Sequence, residues 1–209
     1  MVQDGCVRLG TLSSYRDLEA HGEAVGDQDE NTRTIYSHDT HIKTDPSELN
    51  PLEKQMIEFT HPHPNIHLSG ARIEIKNHYR ELLAYCASRS FDLEVMKKMS
   101  GENVKAGNDA YDACVEIIDH VEFIHALCGF MEKEHRLKYK GHGDCFYRGR
   151  LVHYTQAHKT EAWNLKPNEY LYQDECRIVL TPPEGFEKQS LIVNIPGIKK
   201  YCRIHDVRA

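Results

Sequence analysis

Short apolar runs broken by polar turns dominate the chain, and long amphipathic stretches are few. Val7-Arg8-Leu9 alternates apolar and charged residues and predicts a first strand. Thr11-Leu12-Ser13-Ser14 offers capping hydroxyls for a helix from Tyr15 to Ala20, ended by Gly22. A polar turn over 26–31 leads to a strand from Arg33 to Tyr36. Pro46, Pro51, Pro62 and Pro64 punctuate residues 38–68, which read as an irregular, His- and Pro-rich insertion with one short helix near Pro51 to Phe59.

The pattern then returns to strands. Ala71 to Lys76 alternates, and Leu82 to Ala87 is a continuous apolar run that fits a buried strand. Asp92 to Met99 predicts a helix ending near Gly101, with Ser90 as its cap. Ala113 to Ile118 predicts a strand. Val121, Ile124, Leu127, Cys128 and Met131 recur near the 3.6-residue period and predict a helix to His135. Strands are expected over 144–154, 175–180, 191–195 and 201–204. Strands dominate, helices intervene irregularly, and no βαβ alternation appears. The expected class is a single α+β domain over 1–209 with mixed or antiparallel sheets.

Composition agrees with that class. The 209 residues are 40% hydrophobic and 28% charged, which is ordinary for a globular chain able to bury a core. Twenty-six Lys+Arg against 32 Asp+Glu leave a net charge of −6, which disfavours salt-driven, non-specific nucleic-acid binding. No apolar run is long enough to span a membrane, and Met1 to Gly5 carries no signal-peptide pattern. A cytoplasmic location is expected. The seven cysteines are odd in number, scattered and free of CxxC spacing, so they are expected to be reduced and mostly buried.

Three local patterns carry candidate chemistry. Gln173 and Glu175 stand two apart at the start of a strand and therefore share one face. Ser88 and Ser90 follow the apolar run 82–87. Arg8 is a lone charge in the first strand. Arginine, then Ser-x-Ser, then Gln-x-Glu, each on its own strand, resembles the R-S-E order of ADP-ribosyltransferases. Cys176 to Leu180 resembles the apolar strand that follows the catalytic glutamate in that family.

The resemblance implies an ADP-ribosyltransferase-like fold with NAD as substrate. By it, Arg8 would hold the NAD phosphates, Ser88 would orient the nicotinamide ribose with Ser90 nearby, and Glu175 would bind the ribose 2′-hydroxyl. Gln173 would face the acceptor, a protein or nucleic acid. A Glu at that position goes with arginine acceptors there, so Gln173 implies an amide side chain or a base instead. The middle motif departs from the family pattern, with Arg89 in place of the usual Thr. A partly exposed Glu175 would be dispensable for folding.

A second resemblance spans more of the chain. Arg8 to Leu12, Tyr15-Arg16, Glu19, Gly26-Asp27 and Glu30 are similar to a widespread bacterial and phage family of unknown function. So are Tyr85 to Ser88, Asp112 to Ile117 with Phe123, and Lys166-Pro167 with Tyr170, Gln173, Glu175 and Arg177. This implies that Tyr15, Arg16, Glu175 and Arg177 line one site, and it places the activity in bacterial or phage conflict.

Two other readings stay open. One is a non-catalytic binding module on a related scaffold. The other is a metal-dependent hydrolase using His38/His41, His61/His63/His67 or His142/Cys145. None of these groups completes a four-ligand signature, and HExxH is absent, so no metal is expected. GxxxxGK[ST] and GxGxxG are absent too.

Overall fold

A computed structural model describes residues 5–16, 27–37, 73–78, 80–105, 113–153 and 161–206. The insertion 38–68, the helix expected within it and the residues from 17 to 26 lie outside these. The strands begin with β1 (Cys6–Thr11), β2 (Thr32–Ser37), β3 (Ile73–His78) and β4 (Leu83–Ser88). Next come α1 (Leu93–Lys105), β5 (Ala113–Ile117) and α2 (His120–His135). The rest is β6 (Lys138–Asp144), β7 (Phe146–Tyr147), β8 (Leu151–His153), β9 (Leu165–Lys166), β10 (Glu175–Thr181), β11 (Ser190–Asn194) and β12 (Cys202–Asp206).

The central sheet has the order β11-β1-β4-β10-β6, and every pairing in it is antiparallel. Smaller sheets pair β12 with β5, β2 with both β3 and β8, and β7 with β9. The architecture is mixed, with several antiparallel sheets and few helices, as expected of an α+β chain. Among the described residues no helix is long and apolar enough to cross a membrane.

Strand alternation gives the central sheet two unlike faces. On one, Val7, Leu9, Leu83, Ile178, Leu180, Leu191 and Val193 pack beneath Phe123, Leu127 and Met131 of α2. Those three helix residues are four apart and form one stripe. Each such aliphatic side chain contributes about 1.5–3 kcal/mol by leaving water. Asp119 caps α2 by accepting the Glu122 N–H at 3.1 Å. Val121, expected in the buried stripe, is exposed because it lies on the opposite side of the first turn.

The other face is built on small residues. Gly10, Ala84, Val179 and Gly141 lie side by side across four strands. Tyr15 packs on Gly10, where a Cβ would meet its hydroxyl at 2.9 Å. A Cβ on Gly141 would meet the Trp163 ring at 3.7 Å, and Trp163 joins Leu12, Leu82, Ala84 and Val179 in a second cluster.

Several local expectations need correction. The segment Leu12–Arg16 is a 3-10 turn, not the start of an α-helix at Tyr15. Thr11 Oγ1 accepts the Ser14 N–H there at 3.3 Å, so a threonine at the end of a strand caps it. Asp92, not Ser90, caps α1, accepting from Glu94 N at 2.8 Å. The helix continues through exposed Gly101 to Lys105. Strand β6 (Lys138–Asp144) precedes every strand expected in this region, and the range 144–154 holds the two short strands β7 and β8 instead. The sequence of β6 shows no apolar alternation because it is an edge strand in which Gly141 lies beside Trp163 and Gly143 pairs with Arg177. The seven cysteines are free, but only Cys145 is fully buried and the other six are half-buried.

Candidate functional site

The small-residue face turns charged toward one end of β4 and β10. Glu175 lies directly opposite Ser88, and Arg177 opposite Cys86. Ser88, Cys86, Glu175 and Arg177 line a cleft together with Tyr15, Glu30, Lys166 and Gln173. Met96 and Met99, three apart on α1, cover its side. The cleft has a volume of about 140 Å³.

A tight turn delivers Glu175 to this place. The 3-10 segment Asn168–Gln173 ends at Asp174, whose φ of 42° is left-handed, a conformation that Asp tolerates better than most residues. Arg89 grips that turn. Its N–H donates to the Asp174 carbonyl at 2.8 Å, and Nε and Nη2 reach Asp174 Oδ1 at 2.9 and 2.7 Å. Nη1 reaches Asp144 Oδ2 at 2.7 Å. Ser88 Oγ donates to the Gln173 carbonyl at 2.7 Å. The Glu175 N–H donates to the Tyr147 hydroxyl at 2.5 Å.

The floor is a buried ion network. Arg177, only 2% exposed, donates Nε to Glu175 Oε1 at 2.5 Å. Nη1 and Nη2 reach the two oxygens of Glu30 at 2.8 and 3.0 Å, and Nη1 also reaches the Trp163 carbonyl at 2.5 Å. Lys166 Nζ donates to Glu175 Oε2 and to Gln173 Oε1. Behind them Arg150 pairs with Asp27, while Arg16 Nε donates to the Glu30 carbonyl at 2.8 Å. Glu30 and Glu175 thus balance Lys166 and Arg177, so the cleft floor carries no net charge.

Burial alone would push the Glu175 carboxyl up, but Arg177 and Lys166 outweigh it and hold the group at about 2. Glu175 is therefore ionised throughout the physiological range. Burial first, then the Glu175 charge, push the Cys86 thiol well up, which keeps it protonated and a poor nucleophile. Cys86, then burial, then Glu175 raise the Tyr15 hydroxyl, with Arg8 opposing them. Tyr15 stays a neutral phenol.

The residues singled out in the sequence divide into three groups. Glu175, Gln173, Ser88, Tyr15 and Arg177 line the cleft. Arg8 is exposed and outside the lining, yet it shares the face, two residues from Gly10 along β1. Arg16 acts from behind, through Glu30, and Ser90 is exposed beyond the end of β4. Glu175 is only 7% exposed, so the expectation that its replacement leaves stability untouched is corrected. Arg177 has its donors committed to Glu30, Glu175 and Trp163, which leaves it a clamp rather than a phosphate holder.

Lys166, Glu30, Cys86, Met96 and Met99 were not singled out as site residues. Cys86 was within reach, since it stands two before Ser88 and so shares its face. Glu30 and Arg177 are 147 residues apart, and no local pattern joins them. Among the described residues no group of three His, Cys, Asp or Glu is placed to hold a metal. His142 is exposed and bonds the Tyr139 hydroxyl through Nδ1 at 2.5 Å. His38, His41, His61, His63 and His67 lie outside the described residues. Comparison of the chain with protein-family models, curated proteins and solved structures finds no match.

Proposed function

We propose that the cleft binds NAD and transfers its ADP-ribose to a macromolecular acceptor, on an ADP-ribosyltransferase-like scaffold. One observation carries the reading: Ser88 and Glu175 are direct cross-strand partners lining one cleft, with Arg8 on the same face of the neighbouring strand. In the reaction the bond between the ribose C1′ and the nicotinamide nitrogen breaks, and nicotinamide leaves with the electron pair. Positive charge builds on the ribose, and the acceptor's nucleophile forms the new bond to C1′ and loses its proton. A fixed, ionised Glu175 stabilises that charge without rearranging during the reaction. Arg8, exposed at the rim, suits a phosphate better than the committed Arg177.

The test follows nicotinamide release and label transfer separately in wild type, Glu175→Gln and Gln173→Ala, each normalised to folded protein. Turnover in Glu175→Gln should fall about 10²–10³-fold, the scale for removal of one such electrostatic group. Gln173→Ala should damage transfer more than NAD hydrolysis. Absence of NAD binding to the wild type by calorimetry defeats the proposal. A second reading, a non-catalytic binding module, draws on the capture of both Glu175 oxygens by Lys166 and Arg177. Binding of NAD without nicotinamide release would favour it.

A further inference from the structure

Lys166 differs from every other cation in the cleft. Arg177 spends its donors on Glu30, Glu175 and the Trp163 carbonyl, and so holds β10 to the turn before β2. Lys166 holds no such frame. It comes from the two-residue strand β9, paired with Tyr147 of β7, and its side chain is 4% exposed. An ammonium has three donors and no acceptor. Two of them meet Glu175 Oε2 and Gln173 Oε1, and the third has no oxygen partner among the described residues. The Tyr170 ring lies 5.0 Å from Nζ.

We propose that Lys166 is the positioning residue of the cleft, fixing Glu175 as a charged acceptor and setting the orientation of the Gln173 amide beside it. Because Lys166 can only donate, the Gln173 atom facing it must be the amide oxygen, and the NH2 group turns the other way, toward the Tyr172 hydroxyl at 3.4 Å. A carboxylate held in this way suits a ligand that presents a hydroxyl to Glu175.

The inference rests on reading this cleft as the functional site, but not on NAD as its ligand. The groups facing Glu175 are Arg177 on its own strand, Ser88 and Cys86 on β4, Lys166 on β9 and Tyr147 on β7. Gln173 precedes it, and Tyr15 and Glu30 close the far side. Of the two cations touching Glu175, only Lys166 can be removed without also freeing Glu30.

The experiment titrates 13C-carboxyl-labelled protein by NMR in wild type and Lys166→Met. The Glu175 midpoint should rise by about 1–3 pH units in the variant, the effect of losing one adjacent charge. The Gln173 amide signals should broaden or split as the amide loses its fixed orientation. An unchanged midpoint overturns the proposal. Should Lys166→Met not fold, wild type alone decides. Its Lys166 ammonium should give a slowly exchanging 1H–15N signal with through-space contacts to Gln173 and Tyr170, and absence of that signal overturns the proposal. With NAD turnover present, Lys166→Met should lower kcat by up to about 100-fold with KM nearly unchanged, as for a misplaced catalytic group. None of the NMR readouts requires NAD, so failure of NAD binding defeats the proposed function and leaves the Lys166 result to be read separately.

Discussion

The two faces of the central sheet are made by the same strands and stabilised by different physics. Under α2, Leu9, Leu83, Leu180 and Leu127 lie fully buried among apolar neighbours, and no direction of contact matters much. On the opposite face, Arg177, Glu175, Glu30 and Lys166 are almost as deeply buried, and each contact is a directed hydrogen bond between charges. Burial of apolar groups is favourable whatever the partner. Burial of charges is costly unless every partner is present. The apolar face therefore depends on filled volume and not on particular partners, whereas the charged face depends on each partner. That dependence is what holds the cleft groups in fixed positions.

The comparison is sharpest at Arg177. Arg177→Met strands Glu30 and Glu175 in the interior, and unfolding in urea should show a loss of about 3–5 kcal/mol. Leu127→Ala on the apolar face should cost a similar amount, about 2–5 kcal/mol. The two should part in acid. Glu175 is depressed from its ordinary 4.5 to about 2, so the stability it brings is complete above about pH 4.5 and is lost as pH falls toward 2. Leu127→Ala should keep that acid slope, and Arg177→Met should flatten it. Equal slopes in the two variants would erase the distinction between the faces.

A smaller effect probes the seam where the faces meet. Gly10→Ala brings a Cβ to 2.9 Å from the Tyr15 hydroxyl, so Tyr15 must move within the cleft. A cost of about 1–3 kcal/mol is expected from overpacking, with a changed Tyr15 fluorescence or NMR environment. An undisturbed Tyr15 would show that the small-residue row has slack. The smallest effect belongs to Arg8. It is exposed on the charged face, and Arg8→Ala should change stability by less than about 0.5 kcal/mol. Under the proposed function the same variant should weaken NAD binding in calorimetry, so that stability and ligand affinity separate at this residue.

Much of the fold was legible in the chain because it is written in local periodicity. The alternation at Val7 to Leu9, the apolar run at Leu82 to Ala87 and the 3.6-residue stripe of α2 each report a buried face directly. Strand β6 was not legible, because an edge strand that turns glycines inward shows no hydrophobic pattern. The site divides in the same way. Ser88, Gln173 and Glu175 could be singled out from their order along the chain, and the structure sets Ser88 and Glu175 opposite one another. The expectation that Gln173 and Glu175 share a strand face is corrected, because Gln173 ends a 3-10 turn and reaches the cleft from before the strand. The chain alone could not reveal that Glu175 is buried and bound on both oxygens.

What the sequence by itself determined is therefore the kinds of element, the acidic and cysteine-scattered composition, and which side chains share a strand face. The tertiary structure alone decided which charges meet. Glu30 reaches Arg177 across 147 residues, and Lys166 reaches Glu175 from a two-residue strand that no periodicity announces. The physical reason is that periodicity reports burial, which every residue of an element experiences locally. An ion pair depends on two points of the chain brought together by everything folded between them.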